Sequence, residues 1–195
     1  GETLRDEWFI RGRVPMTKSE VRAISLSRLE LKPGAVLYDV GAGTGSVSIE
    51  AALSVPDCQV FAVERKPEAA ELISRNREKF HAGNVTVVEG TAPEVFAGLP
   101  IPTHAFLGGT AGRMGEILDR LLEKNPALRV VINVIALESL AEITAWLNRR
   151  SIQAEISSVQ TARGRLVAGY HLMEGQNPVY ILSFGGEESP WAEES

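Results

Sequence analysis

The chain has 195 residues, 44% hydrophobic and 23% charged, with a net charge of −5. That length predicts one domain with room for a core, and the composition excludes a disordered or fibrous chain. No apolar run reaches membrane-span length, no signal-like N-terminus is present, and the acidic balance disfavours nucleic acid as the main partner. The lone Cys58 fits a reducing cytoplasm, and with His81, His104 and His171 scattered there is no metal-ligand spacing.

Residues 1–16 read as irregular, with Trp8 and Phe9 as aromatic anchors and a turn at Pro15. A cap helix is predicted over about 17–31: Thr17 or Ser19 caps it, and Val21, Ile24, Leu26 and Leu29 follow at roughly helical spacing. Lys32-Pro33-Gly34 stops it. From Trp8 to Arg28, Arg11, Arg13, Lys18, Arg22 and Arg28 stand against Glu20 alone, and Arg163 with Arg165 makes a second basic cluster. Solvated faces would explain such clusters; two positive patches on an acidic protein would also suit an anionic substrate.

Val36-Leu37-Tyr38-Asp39-Val40-Gly41-Ala42-Gly43-Thr44-Gly45 reads as a buried strand and a glycine turn, leading into a helix from Ser46 to about Leu53. Glycine lets the backbone turn sharply and lets a ligand approach closely, and the amides of a helix N-terminus favour its negative end. A dinucleotide fingerprint needs glycine at its first, third and sixth positions, but here the sixth position is Ser46. Asp39, two residues before Gly41, would repel a pyrophosphate and suits an amino group. S-adenosylmethionine, which carries an ammonium, a sulfonium and a carboxylate but no phosphate, fits this pattern better than NAD.

The second strand, Gln59 to Val63, ends on Glu64, where an acid in a βαβ unit meets ribose hydroxyls. A helix from Pro67 to about Phe80, a strand over Asn84–Glu89 and the turn Gly90-Thr91-Ala92-Pro93 follow. Next come a strand at Thr103–Leu107 closed by Gly108-Gly109, a helix over about 111–123, a strand at Arg129–Val134 and a helix through Leu147. Ile152–Thr161 and Asn177–Phe184 read as two strands without an intervening helix, joined by a Gly- and Arg-rich flap at 162–175. The pattern predicts an α/β doubly wound fold: a mostly parallel seven-stranded sheet with an antiparallel edge strand. Its parts are a cofactor-binding core over about 35–150, a strand pair and flap over 151–185, and an acidic tail over 186–195. Ligands of such sheets bind beyond the carboxyl ends of the strands, at the switch point.

In that order on that scaffold, Asp39-Val-Gly-Ala-Gly-Thr-Gly45, Glu64 and Glu89-Gly-Thr-Ala92 resemble the Rossmann-like class I S-adenosylmethionine-dependent methyltransferases. Arg13-Val-Pro-Met-Thr-Lys-Ser-Glu-Val-Arg22, Phe106-Leu-Gly-Gly109 and Asn177-Pro-Val-Tyr180 are similar to the CbiT type of precorrin-6B methyltransferase, including the C-terminal half of the two-domain enzyme CobL. The resemblance runs from about Trp8 to Gly185. It implies methylation of carbon 15 of precorrin-6B, or its cobalt form, with loss of the carbon-12 acetate carboxyl as carbon dioxide, in cobalamin biosynthesis. It also implies that Thr17, the loop Gly41, Ala42, Gly43, Thr44 and Gly45, Glu64 (on the ribose) and Ala92 (at the adenine) hold the cofactor. Family members are often tetramers. Gly1 in place of methionine fits an excised domain whose partner methylates carbon 5, and a tag remnant equally.

An anionic tetrapyrrole gives the basic clusters a purpose, with Arg11, Arg13, Arg163 and Arg165 on its carboxylates. Gly108 and Gly109 are expected at the substrate. Asn133, at the end of the fifth strand, is expected to hydrogen-bond cofactor or substrate or, equally, to pack the sheet end. His171 in the flap is the candidate general acid, against a surface or packing role. One departure from the family lies at Thr103-His104, where an acid or arginine is expected near the rim. A tRNA methyltransferase, a non-catalytic S-adenosylmethionine-binding subunit and an NAD enzyme are the competing readings.

Overall fold

Short apolar strands alternating with helices build one layered sheet in the computed structural model, which describes residues 3–188 and 191. The strands are β1 Val36–Val40, β2 Gln59–Glu64, β3 Val85–Glu89, β4 His104–Leu107, β5 Arg129–Val134, β6 Glu155–Val159, β7 Ala162–Val167, β8 Tyr170–Gly175 and β9 Val179–Phe184. The helices are α1 Ser19–Leu29, α2 Ser46–Ser54, α3 Pro67–Lys79, α4 Met114–Lys124 and α5 Leu137–Arg149. Seven strands pair in the order β3-β2-β1-β4-β5-β9-β6. β1 to β5 run parallel, and β9 is antiparallel to both of its neighbours, so the antiparallel strand lies one place in from the rim.

Successive strand residues point to opposite faces, and the core divides accordingly. Leu37, Val60, Ala62, Phe106 and Val131 pack under α1, α2 and α3 with Leu29, Ile49 and Ile73. Tyr38, Val40, Leu107, Ile132 and Leu182 face α4 and α5, with Leu118, Leu121, Ile143 and Trp146. The strand order reverses between β1 and β4, so the loops after these two strands open the crevice where ligands bind.

Some elements differ from expectation. The cap helix starts at Ser19, and its N-cap, Lys18, has no side-chain capping bond, so neither Thr17 nor Ser19 caps it. It stops at Leu29 because Glu30 is left-handed, at φ 53°. The flap is a β-hairpin. Ala168 and Gly169 both have positive φ, at 50° and 83°, the geometry of a two-residue turn that suits twisted strands. Most of the expected acidic tail, residues 189, 190 and 192–195, lies outside the described residues. Among the described residues no helix is long and apolar enough to cross a membrane.

The packing yields a contrast of two leucines. Leu118 is fully buried and Leu137 is 68% exposed. Leu118→Ala is expected to cost about 2–5 kcal/mol of unfolding free energy through lost burial and the cavity left behind, and Leu137→Ala less than about 0.5 kcal/mol. Urea unfolding of both variants checks this.

Candidate active site

The site is built on backbone that only glycine allows. Gly41, Gly43 and Gly45 have φ of 72°, 61° and 83°. A Cβ on Gly41 would stand 2.5 Å from the Gly109 carbonyl oxygen, and one on Gly43 would stand 2.8 Å from that of Pro15. Three segments therefore meet here: the loop after β1, the loop after β4 and the N-terminal stretch before α1. The amides of Gly41 and Ala42 both donate to the Val63 carbonyl, at 2.9 and 3.1 Å, and that of Gly45 donates to Ala42 at 2.8 Å. With these amides engaged internally, the loop is a poor cradle for a phosphate.

Glu64, at the end of β2, is nearly buried. One carboxylate oxygen accepts the Gly43 amide at 3.0 Å and the other accepts the Lys66 amide at 3.2 Å. The acid is thus aimed at the loop, and each oxygen keeps a lone pair for a further donor. Asp39 is sunk beneath the loop, with Oδ2 accepting from the Ser48 hydroxyl at 2.6 Å. Burial is the main cause that pushes its carboxyl up to about 7; the Ser48 hydrogen bonds oppose this and the charge of Glu64 adds to it. Asp39 Oδ1 and Thr44 Oγ1 are buried without hydrogen-bond partners. Two acceptor-capable groups under the loop and a fixed carboxylate at its edge fit a ligand with an ammonium and a ribose diol. S-adenosylmethionine is such a ligand.

The N-terminal stretch is held over this loop by side chains. Asn76 of α3 is fully buried: its Oδ1 accepts the Ile10 amide at 2.8 Å, and its Nδ2 donates to the Ile10 and Thr44 carbonyls, both at 2.9 Å. The Thr17 carbonyl accepts Arg22 Nη1 at 2.7 Å and the Ser46 hydroxyl at 3.5 Å, which brings Thr17 to the loop. Asn76 carries no sequence signal beyond its place on a helix. Ala92, half-buried after β3, precedes a buried Pro93.

The relatives of this chain fit the same picture. A profile described as the precorrin methyltransferase domain matches residues 7–184. The chain belongs to the precorrin methyltransferase family. It is 40% identical over 194 residues to the cobalt-precorrin-6B C(15)-methyltransferase (decarboxylating) of Salmonella typhimurium, covering 95% of this chain and 97% of that protein. It is similar in structure to a precorrin-6y C5,15-methyltransferase of Geobacter metallireducens, with a TM-score of 0.89 and 36% identity over 94% of this chain and 96% of that one. The precorrin 8W decarboxylase of Methanobacterium thermoautotrophicum aligns with a TM-score of 0.86 and 33% identity, over 93% and 99% of the two chains.

Within this precorrin methyltransferase domain the expected substrate groups fare unevenly. Gly108 and Gly109 are exposed at the rim, and both donate to the Val40 carbonyl, at 3.0 and 3.2 Å. Arg13 is exposed and Arg11 half-buried on the N-terminal stretch, and neither makes an ion pair among the described residues. Arg163 does not point outward as a free cation, because its guanidinium is held by Asp6 and Glu20, at 2.7 and 2.5 Å. Arg165 pairs across the hairpin with Glu174 at 3.3 Å. Arg22, counted in the basic patch, is fully buried, and Arg28 pairs with Glu155. Asn133 turns to α1, donating to Ser25 Oγ at 3.0 Å, so it joins sheet to helix and leaves the rim. His171 is exposed on β8 opposite Leu166, with no contact to the glycine loop. Thr103 and His104 open β4 at its amino end, far from the carboxyl edge that carries the site, so the departure there leaves the rim untouched.

A carboxyl with a raised folded-state pKa binds its proton more tightly folded than unfolded. The stability that Asp39 contributes is complete below its ordinary value of 3.8 and is lost as pH rises through about 7. Asp39→Asn is expected to remove this decline and to raise the melting temperature at pH 8, as thermal unfolding between pH 4 and 8 checks.

Proposed function

We propose that this chain methylates carbon 15 of precorrin-6B, as the cobalt complex or metal-free, and releases the carbon-12 acetate carboxyl as carbon dioxide, in cobalamin biosynthesis. The observation that carries the reading is Glu64 locked onto the glycine loop, on a chain 40% identical to a decarboxylating carbon-15 methyltransferase along nearly its whole length. When bound, S-adenosylmethionine supplies a methyl group on a positively charged sulfur. An electron-rich carbon of the macrocycle forms the new carbon–carbon bond as the carbon–sulfur bond breaks, so no nucleophilic side chain is required. Loss of carbon dioxide sends the bonding pair into the conjugated imine of the macrocycle, and a proton then completes the methyl group at carbon 12.

The residues of the chain have three tasks. Glu64 accepts the ribose hydroxyls, with Thr17 and Ala92 at the flanks of the cofactor. The loops after β1 and β4 hold the methyl group against the reacting carbon of the macrocycle; such positioning supplies much of a transfer reaction's barrier lowering. Arg11 and Arg13, which make no ion pair among the described residues, hold the carboxylates of the substrate.

The hairpin supports a second, structural reading: copies of the chain associate through it, as the tetramers of the family would. Leu166, Tyr170, Leu172 and Met173 are 53–73% exposed there. A lone two-stranded ribbon is marginally stable in water, and such apolar exposure on it calls for a cover. Leu172→Asp is expected to lower the mass measured by light scattering below that of the unaltered chain; a monomeric unaltered chain overturns the reading.

Incubation with labelled S-adenosylmethionine and precorrin-6B, followed by mass spectrometry, tests the reaction. One methyl gained with one carbon dioxide lost is expected, and cofactor binding with an unchanged pigment overturns the substrate assignment. Arg11→Ala/Arg13→Ala is expected to raise KM for the pigment about tenfold or more, since a charge-assisted hydrogen bond contributes about 1.5–3 kcal/mol, with the cofactor Kd unmoved.

A further inference from the structure

The basic stretch before and within α1 contains a buried chain of charge that reaches the hairpin. Arg22 is fully buried. Its Nη1 donates to Asp6 Oδ1 at 3.2 Å and to the Thr17 carbonyl at 2.7 Å, and its Nη2 donates to the Leu4 carbonyl. Its Nε lies 3.4 Å from Glu50 Oε1 on α2, and the same carboxylate oxygen accepts the Leu4 amide. Asp6 is shared. Its other oxygen, Oδ2, accepts Arg163 Nη2 from β7 at 2.7 Å, and the same guanidinium holds Glu20 through Nε at 3.0 Å and Nη2 at 2.5 Å. The line therefore runs from Arg163 through Asp6, Arg22 and the Thr17 carbonyl to the Ser46 hydroxyl, on the first residue of α2 after the glycine loop.

The stretch between Ile10 and Thr17 has no helix or strand of its own. Its place over the loop rests on Asn76 at one end and Arg22 at the other. Arg22 is oriented by the two carboxylates, Asp6 and Glu50, and Asp6 has each oxygen fixed by a different arginine. Removing Arg163 frees one side of Asp6, and the aim of Arg22 at Thr17 loosens with it.

We propose that Arg22 and Asp6 are positioning residues for the cofactor, and that Arg163 couples the hairpin to the cofactor site through them. Cofactor affinity then depends on a cation of the hairpin that bonds no residue of the glycine loop. The proposal rests on the reading that Thr17 and the glycine loop hold S-adenosylmethionine.

Calorimetric Kd values for S-adenosylmethionine, with KM for both substrates, test it in R163Q, R163K, D6N, R163Q/D6N and R22K. R163Q and D6N are each expected to weaken cofactor binding about fivefold or more, the lower range of couplings between distinct sites. The double variant is expected to be no weaker than D6N alone, because both changes break one line. R163K recovers most of the affinity, and R22K loses it because a lysine cannot reach Asp6, Thr17 and Leu4 together. Any rise in KM for the pigment in R163Q accompanies the loss of cofactor affinity, because Arg11 and Arg13 share the loosened stretch. A Kd within twofold of the unaltered chain in R163Q, or losses that multiply in the double variant, overturns the proposal. So does an R163Q whose only defect is a raised KM for the pigment, which would make Arg163 a substrate clamp. An unaltered chain that binds no S-adenosylmethionine overturns the cofactor reading instead.

Discussion

Three segments of backbone converge at distances that no side chain would permit, and the rest of the site follows from that convergence. The loop after β1 touches the loop after β4 where Gly41 faces Gly109, and it touches the N-terminal stretch where Gly43 faces Pro15. Because β1 and β4 are central and parallel, with Asp39 paired between Ala62 and Phe106, their ends are fixed by the sheet itself. The N-terminal stretch has no such support and is held by side chains. The glycine loop is thus rigid on two sides and dependent on buried polar contacts on the third.

Charge is used in the same way. A count of cations before and within α1 suggests a surface that reaches outward, yet Arg22 turns inward to Asp6 and Glu50, and Arg28 and Arg163 are engaged at the surface by Glu155 and by Asp6 with Glu20. A buried charge that loses its partner is far more costly than one that never had to leave water, so the Arg22 pairs fix geometry more than they add stability. Arg11 and Arg13 on the N-terminal stretch make no ion pair among the described residues, and the case for an anionic substrate rests on them.

The glycine loop and the acid beside it were legible in the sequence because their signals are local. Glycines at alternate positions after an apolar strand, and an acid at the end of the next strand, lie within one βαβ unit. Arg22 and Arg163 were misjudged because their shared partner, Asp6, is 16 residues away in one case and 157 in the other, and charge counting knows nothing of partners. Asn133 sits at a strand end as expected but on the face covered by α1, which period-two alternation does not assign without a register. The stretch at 162–175 was read as a flap for its glycine and arginine, without the two strands it forms. Ala168-Gly169 between Val167 and Tyr170 was the available hairpin sign, and Asn76 had none.

The place of β9 has a consequence for how the chain is made. Among the described residues β6 pairs only with β9, and β9 wedges between β5 and β6, so the strand of this sheet that is synthesised last closes it. Until Phe184 emerges, β5 is a bare edge and β6 has no sheet to join. Such unpaired edges are where partly folded chains adhere to one another. During synthesis, then, the half of the sheet that carries the glycine loop can assemble early, while β5 and β6 wait for β9.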